Sequence, residues 1–292
     1  NVKTQVHPEL SMERQLCWWT PMGDGKKQWK SFPRNQFEAD NFSMWQYVDI
    51  HGNWGDGWFR VPGVFNDAAH KNGVRTGCVL FINWGESVRK PGDRVYDLFA
   101  KLTEKDEYGR FRYAERLILF LKYYGIDGIG INPEGVWSAD IASEVQDFFA
   151  ELHVQAKVQG LKGFHIDWYD SNDNNGRLGF GQNALQNRNR DWFQKGNRVV
   201  SNMFMLNYNI DSYGGNRDPM GESARNAVAY GRSSYDVYAG FYLRGRGLSS
   251  YDVEPREGKG WEVLKDKPVS VCLWGEHERN NIHNASYEYG ED

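Results

Sequence analysis

Eight short apolar runs, most of them separated by stretches with helical periodicity, constrain the fold of this chain more than any other feature. Runs at 16–19, 45–50, 75–82, 128–131, 163–168, 203–207, 237–242 and 269–274 read as strands. Helices are expected after Pro62, over 112–124 with Leu117, Leu119, Phe120, Leu121 and Tyr124 as its apolar stripe, and over 138–158, 183–193 and 221–230, with a short one near 261–264. Gly73 and Gly125 stand where a helix should stop. Strand–helix repeats of this number, joined by right-handed crossovers, close into an α/β (β/α)8 TIM barrel. An open doubly wound sheet is the alternative, but no glycine-rich phosphate turn follows the first strand. No internal repeat, low-complexity tract or Pro/Ser linker divides the chain, so one domain over 1–292 is expected.

Charge excludes two partner classes. The 35 basic and 39 acidic side chains sum to −4 with no block of one sign, which offers nothing to nucleic acid or to an anionic membrane. The apolar runs are too short to cross a bilayer. Aromatic content is high, with 12 Trp, 16 Tyr and 16 Phe, yet mean hydropathy is −0.73. Rings beside Asn, Asp and Gly in loops suit a wet cleft that grips sugars by their faces and hydroxyls, although most rings fill the core. Cys17, Cys78 and Cys272 all fall in strands, and an odd count of such thiols argues against a disulfide framework. The chain starts at Asn1 without an initiator Met, which reads as a trimmed or mature piece.

A barrel presents its reactive groups at the C-terminal ends of its strands. Those ends carry Trp18 and Trp19; Asp49 and His51; Asn83, Trp84 and Glu86; Asn132 and Glu134; Trp168, Tyr169 and Asp170; Asn207, Tyr208 and Asn209; Tyr242 and Arg244; Trp274, Glu276 and His277. These are carboxylates, carboxamides and rings. A Cys–His pair, a Gly-x-Ser-x-Gly elbow and a His-x-x-x-His helix are missing, and no metal or other cofactor is expected. The run 170–176 resembles a calcium loop without its closing Glu and reads as a turn.

The segment Asp127-Gly-Ile-Gly-Ile-Asn-Pro-Glu134 is the most informative. Strand alternation puts Gly130, Asn132 and Glu134 on one face. If that face lines the barrel, Glu134 can protonate a glycosidic oxygen, given a pKa raised by an apolar site. A retaining glycosidase ordinarily adds a second carboxylate ~5 Å away as nucleophile. Here an amide stands two residues before the acid, which suggests that the substrate's own 2-acetamido oxygen attacks, with Asn132 holding the acetamide N–H. A solvated loop acid is the bland alternative for Glu134, and an ordinary strand terminator for Asn132.

The chain resembles glycoside hydrolase family 85, the endo-β-N-acetylglucosaminidases. The resemblance rests on Trp45-Gln-Tyr-Val-Asp49, Asn66-Asp-Ala-Ala-His-Lys-Asn-Gly73, Tyr124 through Glu134, Trp168-Tyr-Asp-Ser171, Gln182-Asn183, Leu206-Asn-Tyr208, Asp236-Val-Tyr238 and Gly245-Arg-Gly247, in order through nearly the whole chain. It implies cleavage of the β-1,4 bond between the two core N-acetylglucosamines of N-glycans on glycoproteins or glycopeptides, by a TIM-barrel catalytic domain over 1–292 from which the family's usual C-terminal accessory modules are expected to be absent. It also implies Asn132 as the oxazoline-orienting amide, Glu134 as general acid/base and Tyr169 as support for the acetamido group. Trp84, Trp168, Phe180, Asn207, Tyr208, Arg244 and Trp274 complete the expected substrate-binding set, Phe180 standing where the family often has Trp. An extracellular or cell-envelope location is expected, with the cytoplasm as alternative. A chitinase-like hydrolase and a non-catalytic carbohydrate-binding barrel remain as rival readings. The spacing Asp127-x-x-Gly130-x-Asn132-x-Glu134 parallels the chitinase Asp-x-x-Asp-x-Asp-x-Glu with two aspartates missing.

Overall fold

A computed structural model of the chain describes residues 12–20, 42, 44–53, 58–179, 183–208, 218–242 and 264–275. Eight parallel strands form a closed barrel. In chain order they are β1 (Leu16–Thr20), β2 (Ile50–Asn53), β3 (Arg75–Ile82), β4 (Gly128–Pro133), β5 (His165–Tyr169), β6 (Met203–Met205), β7 (Val237–Tyr242) and β8 (Ser270–Trp274). Each pairs with its sequence neighbour, and β8 closes on β1 with Cys17 opposite Cys272.

Five helices are described: α1 (Gly63–Lys71), α2 (Arg94–Leu102), α3 (Ala114–Tyr124), α4 (Ala139–Gln159) and α5 (Pro219–Ala229). Gly73 (φ 72°) follows α1, and Gly125 (φ 69°) caps α3 in the left-handed conformation that a side chain would strain. The α5 start combines Pro219 in its first turn with an Asp218 cap that accepts from the Gly221 N–H at 3.0 Å.

Four expectations change. The run 45–50 is not a strand: Trp45–Tyr47 is a 3-10 turn, because Trp45 packs among Phe42, His51 and Phe65, and β2 begins only at Ile50. Asp49 therefore lies at the N-terminal end of β2, where its carboxylate accepts from the Leu16 N–H at 2.9 Å. The charged segment after β3 contains α2, whose Val95 and Phe99 are fully buried. On α3 the buried stripe is Ala114, Leu117, Ile118 and Leu121, whereas Leu119, Phe120 and Tyr124 face outwards. No α-helix forms over 183–193. There Asn189 donates to the Ala184 carbonyl and accepts from the Gln186 N–H, taking backbone partners that a helix would use.

The core has two layers. Between sheet and helices lie residues such as Ile129, Ile131, Phe148, Phe149, Ile166, Trp168 and Phe204. Inside the barrel lie Cys17, Trp19, Ile50, Val79, Tyr169, Met203, Met205, Tyr238 and Cys272. All three cysteines are buried and free. Near the N-terminal ends of the strands, Gln15 accepts from both Arg75 and the Tyr238 hydroxyl at 2.9 Å. No described helix is long and apolar enough to cross a membrane.

Candidate active site

Glycines on three consecutive strands make room for one large ring. A Cβ on Gly52 would sit 1.8 Å from the Trp19 indole, on Gly77 3.0 Å and on Gly130 2.8 Å. The indole thus lies across the barrel interior with glycine backbone against it. His165 packs in the same way on Gly128. It is fully buried, and burial pushes its pKa down to about 3, so it stays neutral.

The Trp19 Nε1–H donates to Asp167 Oδ2. Asp167 is 3% exposed, and its other oxygen, Oδ1, has no hydrogen-bond partner. Burial raises its pKa to about 7, against the lowering effect of the Trp19 bond. Above it, one strand register step later, stand the groups of the barrel mouth. The Asn132 Nδ2 donates to the Ile82 carbonyl at 3.2 Å and to Glu134 Oε2 at 3.1 Å. Both amide hydrogens are thereby used, and the amide oxygen is left as an acceptor. Asn132 and Glu134 share a side, as strand alternation requires, and Pro133 does not disturb it. The turn after β4 is held from β5: Ser171 donates to the Pro133 carbonyl at 3.2 Å and Asn172 to that of Gly135 at 2.9 Å.

Glu134 is half-buried, and desolvation raises its pKa, with the Asn132 bond acting the other way. The raised value keeps a proton on the acid at higher pH, which suits a general acid. Tyr169 donates to Asn207 Oδ1 at 3.1 Å, and the same oxygen accepts from the Tyr208 N–H at 2.7 Å. Tyr169, Tyr208, Tyr242 and Trp274 follow one another around the rim with ring centroids 5.9, 5.6 and 4.9 Å apart. Together with Trp19, Asn132 and Asp167, three of these rings line an open cavity of about 270 Å3.

Of the residues expected from sequence, Asn132, Glu134, Tyr169, Asn207, Tyr208 and Trp274 come together here. Trp168 does not: it is fully buried on the helix-facing side of β5, stacked on Trp192 at 3.7 Å, and cannot meet a ligand in the cavity. Trp84 is 63% exposed in the loop after β3 and does not line the cavity. Glu86 pairs with Arg94 at 2.9 Å. Asp170 accepts from Asn189 at 2.9 Å. Phe180, Arg244, Asn209, Glu276 and His277 lie outside the described residues. Sequence reading passed over Asp167 as a site residue. The signal was parity: if Tyr169 points inwards, so do 167 and 165, and 168 points out.

Cys17, Cys272 and Asp167 are the one group among the described residues whose ligand atoms converge enough for a metal, within 4.8 Å of one another. Burial raises both thiol pKa values and holds them protonated, which opposes ligation.

An acid and an amide at the mouth of a barrel, under a rim of rings, define the class of the barrel glycoside hydrolases. The chain belongs to glycosyl hydrolase family 85, whose sequence model matches residues 23–290. Among solved structures it is similar to the glycoside hydrolase domain of Endo-D from Streptococcus pneumoniae R6, with 26% identity and a TM-score of 0.71 over 92% of this chain and 40% of that one. The chain therefore spans less than half the length of that relative. It is also similar, in fold, to an endo-beta-N-acetylglucosaminidase from Cordyceps militaris, at 14% identity and a TM-score of 0.52 over 97% of this chain and 85% of the other. No curated protein sequence matches the chain.

Proposed function

We propose that the protein is an endo-β-N-acetylglucosaminidase that hydrolyses the β-1,4 bond of the diacetylchitobiose core of N-glycans, retaining configuration through substrate assistance. The observation that carries this reading is the hydrogen bond from Asn132 to Glu134, which aligns an acid and an acetamide acceptor on one side of the strand end. In the first step the Glu134 proton passes to the glycosidic oxygen as the acetamido oxygen attacks the anomeric carbon. The C1–O bond breaks, the leaving sugar departs as an alcohol, and an oxazolinium ion remains. Asn132 Oδ1 takes the N–H of that ring, and Tyr169 stands beside it. In the second step the Glu134 carboxylate removes a proton from water, which opens the ring at C1. Two inversions give retention. An amide at position 132 fits this chemistry because it can bind an N–H yet forms no glycosyl ester.

The chitinase-like alternative draws less support from the site. Asp127, the one aspartate left of that spacing, is committed to the Thr76 N–H at 2.7 Å and to His70 at 2.8 Å. The test is mass spectrometry of a glycoprotein after incubation with the enzyme. Hydrolysis of the core leaves one N-acetylglucosamine on each processed asparagine. Cleavage of chito-oligosaccharides supplied in a parallel incubation, with an untouched glycoprotein, would support the chitinase reading, and glycan binding without any product would support a silent barrel.

A further inference from the structure

The end of β3 carries two exposed rings that the mechanism above leaves unused. We propose that Phe81 and Trp84 bind the leaving group: the N-acetylglucosamine that stays on asparagine lies against Phe81, and the polypeptide around that asparagine lies against Trp84. This assignment rests on the enzymatic reading of the preceding section.

Three observations lead to it. First, Phe81 faces the barrel mouth. It shares the parity of Val79, which lines the cavity, whereas Leu80 and Ile82 belong to the helix-facing core. Its register partner is Asn132. Phe81 is 37% exposed, the one exposed position of β3. Trp84, three residues on, is the one exposed tryptophan among the described residues. Two such rings beside an acid offer flat apolar area to the faces of a sugar and to a peptide. Second, the loop that carries Trp84 is fixed to the turn that carries the acid. The Gly85 N–H donates to the Glu134 carbonyl and the Val136 N–H to the Glu86 carbonyl, both at 2.8 Å. Ser87 and Val88 pair with Val136 and Trp137. The Arg94 guanidinium holds both oxygens of Glu86, at 2.9 and 3.1 Å, and Glu86 accepts from the Asn83 N–H at 3.1 Å. A ring on a loop pinned in this way loses little freedom when a ligand covers it. Third, the direction of the reaction selects the ligand. The acetamido oxygen attacks from the side of Asn132 and Tyr169, on β4 and β5. An in-line displacement puts the leaving oxygen on the opposite side of C1, where it takes the Glu134 proton. β3 is the neighbour of β4 on the side away from β5. The cavity rings therefore serve the sugar that is attacked, and the two rings at the end of β3 meet the sugar that leaves and the chain attached to it.

The test uses the whole chain, the variants Phe81→Ala and Trp84→Ala, and three substrates. These are an N-glycan glycopeptide, the same glycan free with both core N-acetylglucosamines, and a preformed sugar oxazoline, which has no leaving sugar. On the glycopeptide each variant should lose about fivefold to thirtyfold in kcat/KM, mostly through KM, as for removal of one aromatic anchor. On the free glycan Phe81→Ala should show the same loss, and Trp84→Ala less than about twofold. Both variants should turn over the oxazoline within about twofold of the wild type. A merely structural role would slow the oxazoline as well, because the end of β3 is tied to both Asn132 and Glu134. Phe81→Tyr and Trp84→Phe, which keep a ring, should recover most of the lost affinity for the glycopeptide. Glycopeptide kinetics unchanged in both alanine variants, a parallel loss on the oxazoline, or a Trp84→Ala loss as large on the free glycan as on the glycopeptide overturns the proposal. If the wild type does not cleave the glycopeptide, the enzymatic reading fails first and this one with it. If the wild type cleaves it and both alanine variants behave as the wild type does, only the role of Phe81 and Trp84 fails.

Discussion

Replacing Gly130 with alanine tests how the barrel interior is built. The new Cβ would lie 2.8 and 2.9 Å from Cζ2 and Cη2 of Trp19, and 3.3 Å from Val79 Cγ2. Carbon atoms settle at about 3.5–4.0 Å, so the overlap is roughly 0.7 Å at two points. The indole cannot retreat, because Gly52 backs its far side so closely that a Cβ there would stand 1.8 Å away. Overpacking of a well-filled core costs about 1–3 kcal/mol, and the lack of an escape route puts Gly130→Ala at the upper end. Trp19→Leu alone should cost about 3–5 kcal/mol by leaving a void. Combined, the two should cost at least about 1 kcal/mol less than their sum, because the smaller side chain removes the clash. Urea denaturation of the four proteins measures all three quantities. Gly130→Ala within about 0.5 kcal/mol of the wild type, or strict additivity, would refute the packing argument.

Further outcomes concern pH, β5 and the rim. Burial raises Asp167 from 3.8 to about 7, so the stability linked to its protonated form is present below about pH 4 and is lost as pH rises through 7. Roughly three pKa units set a ceiling of about 4 kcal/mol, and denaturation curves should show Asp167→Asn gaining on the wild type between pH 4 and 8. His51 and His165, pushed down to about 3, and His153, to about 4, act in the opposite sense: stability present above about pH 6.5 is lost as pH falls towards 3. Trp168→Ala should cost about 3–5 kcal/mol in stability, by urea titration, while leaving glycan affinity within about twofold, since its ring stacks on Trp192 behind the sheet.

Most of the barrel was legible because its strands are apolar and its helices end at glycine. β3 and β7 match their expected bounds, and β1, β4 and β8 differ by one or two residues. What failed has physical causes. The aromatic run at 45–47 has strand propensity, yet its rings are drawn into a cluster with His51 and Phe65. α2 is short and shows only two buried apolar positions amid charge. The 183–193 segment has helical spacing, but asparagine side chains compete for its backbone. In the site, Asn132 and Glu134 were readable because one alternation fixes both. Trp168 was misplaced because a residue at a strand end was assumed to face the mouth whatever its parity. Asp167 was missed for the same reason, although it shares the parity of Tyr169, and its register with Gly130 agrees with that placement. Tyr242, noted at its strand end, gained its place in the rim from ring geometry alone.

The measurement that bears most directly on the central claim compares two substrates in Asn132→Gln and Glu134→Gln. If the substrate's own acetamido group is the nucleophile, Asn132→Gln hydrolyses glycopeptide about a hundredfold or more slowly yet still turns over a preformed sugar oxazoline, because that compound has already passed the step the amide assists. Glu134→Gln should lose hydrolysis outright. Equal loss on both substrates in Asn132→Gln, or a Glu134→Gln enzyme as active as the wild type, would contradict the account.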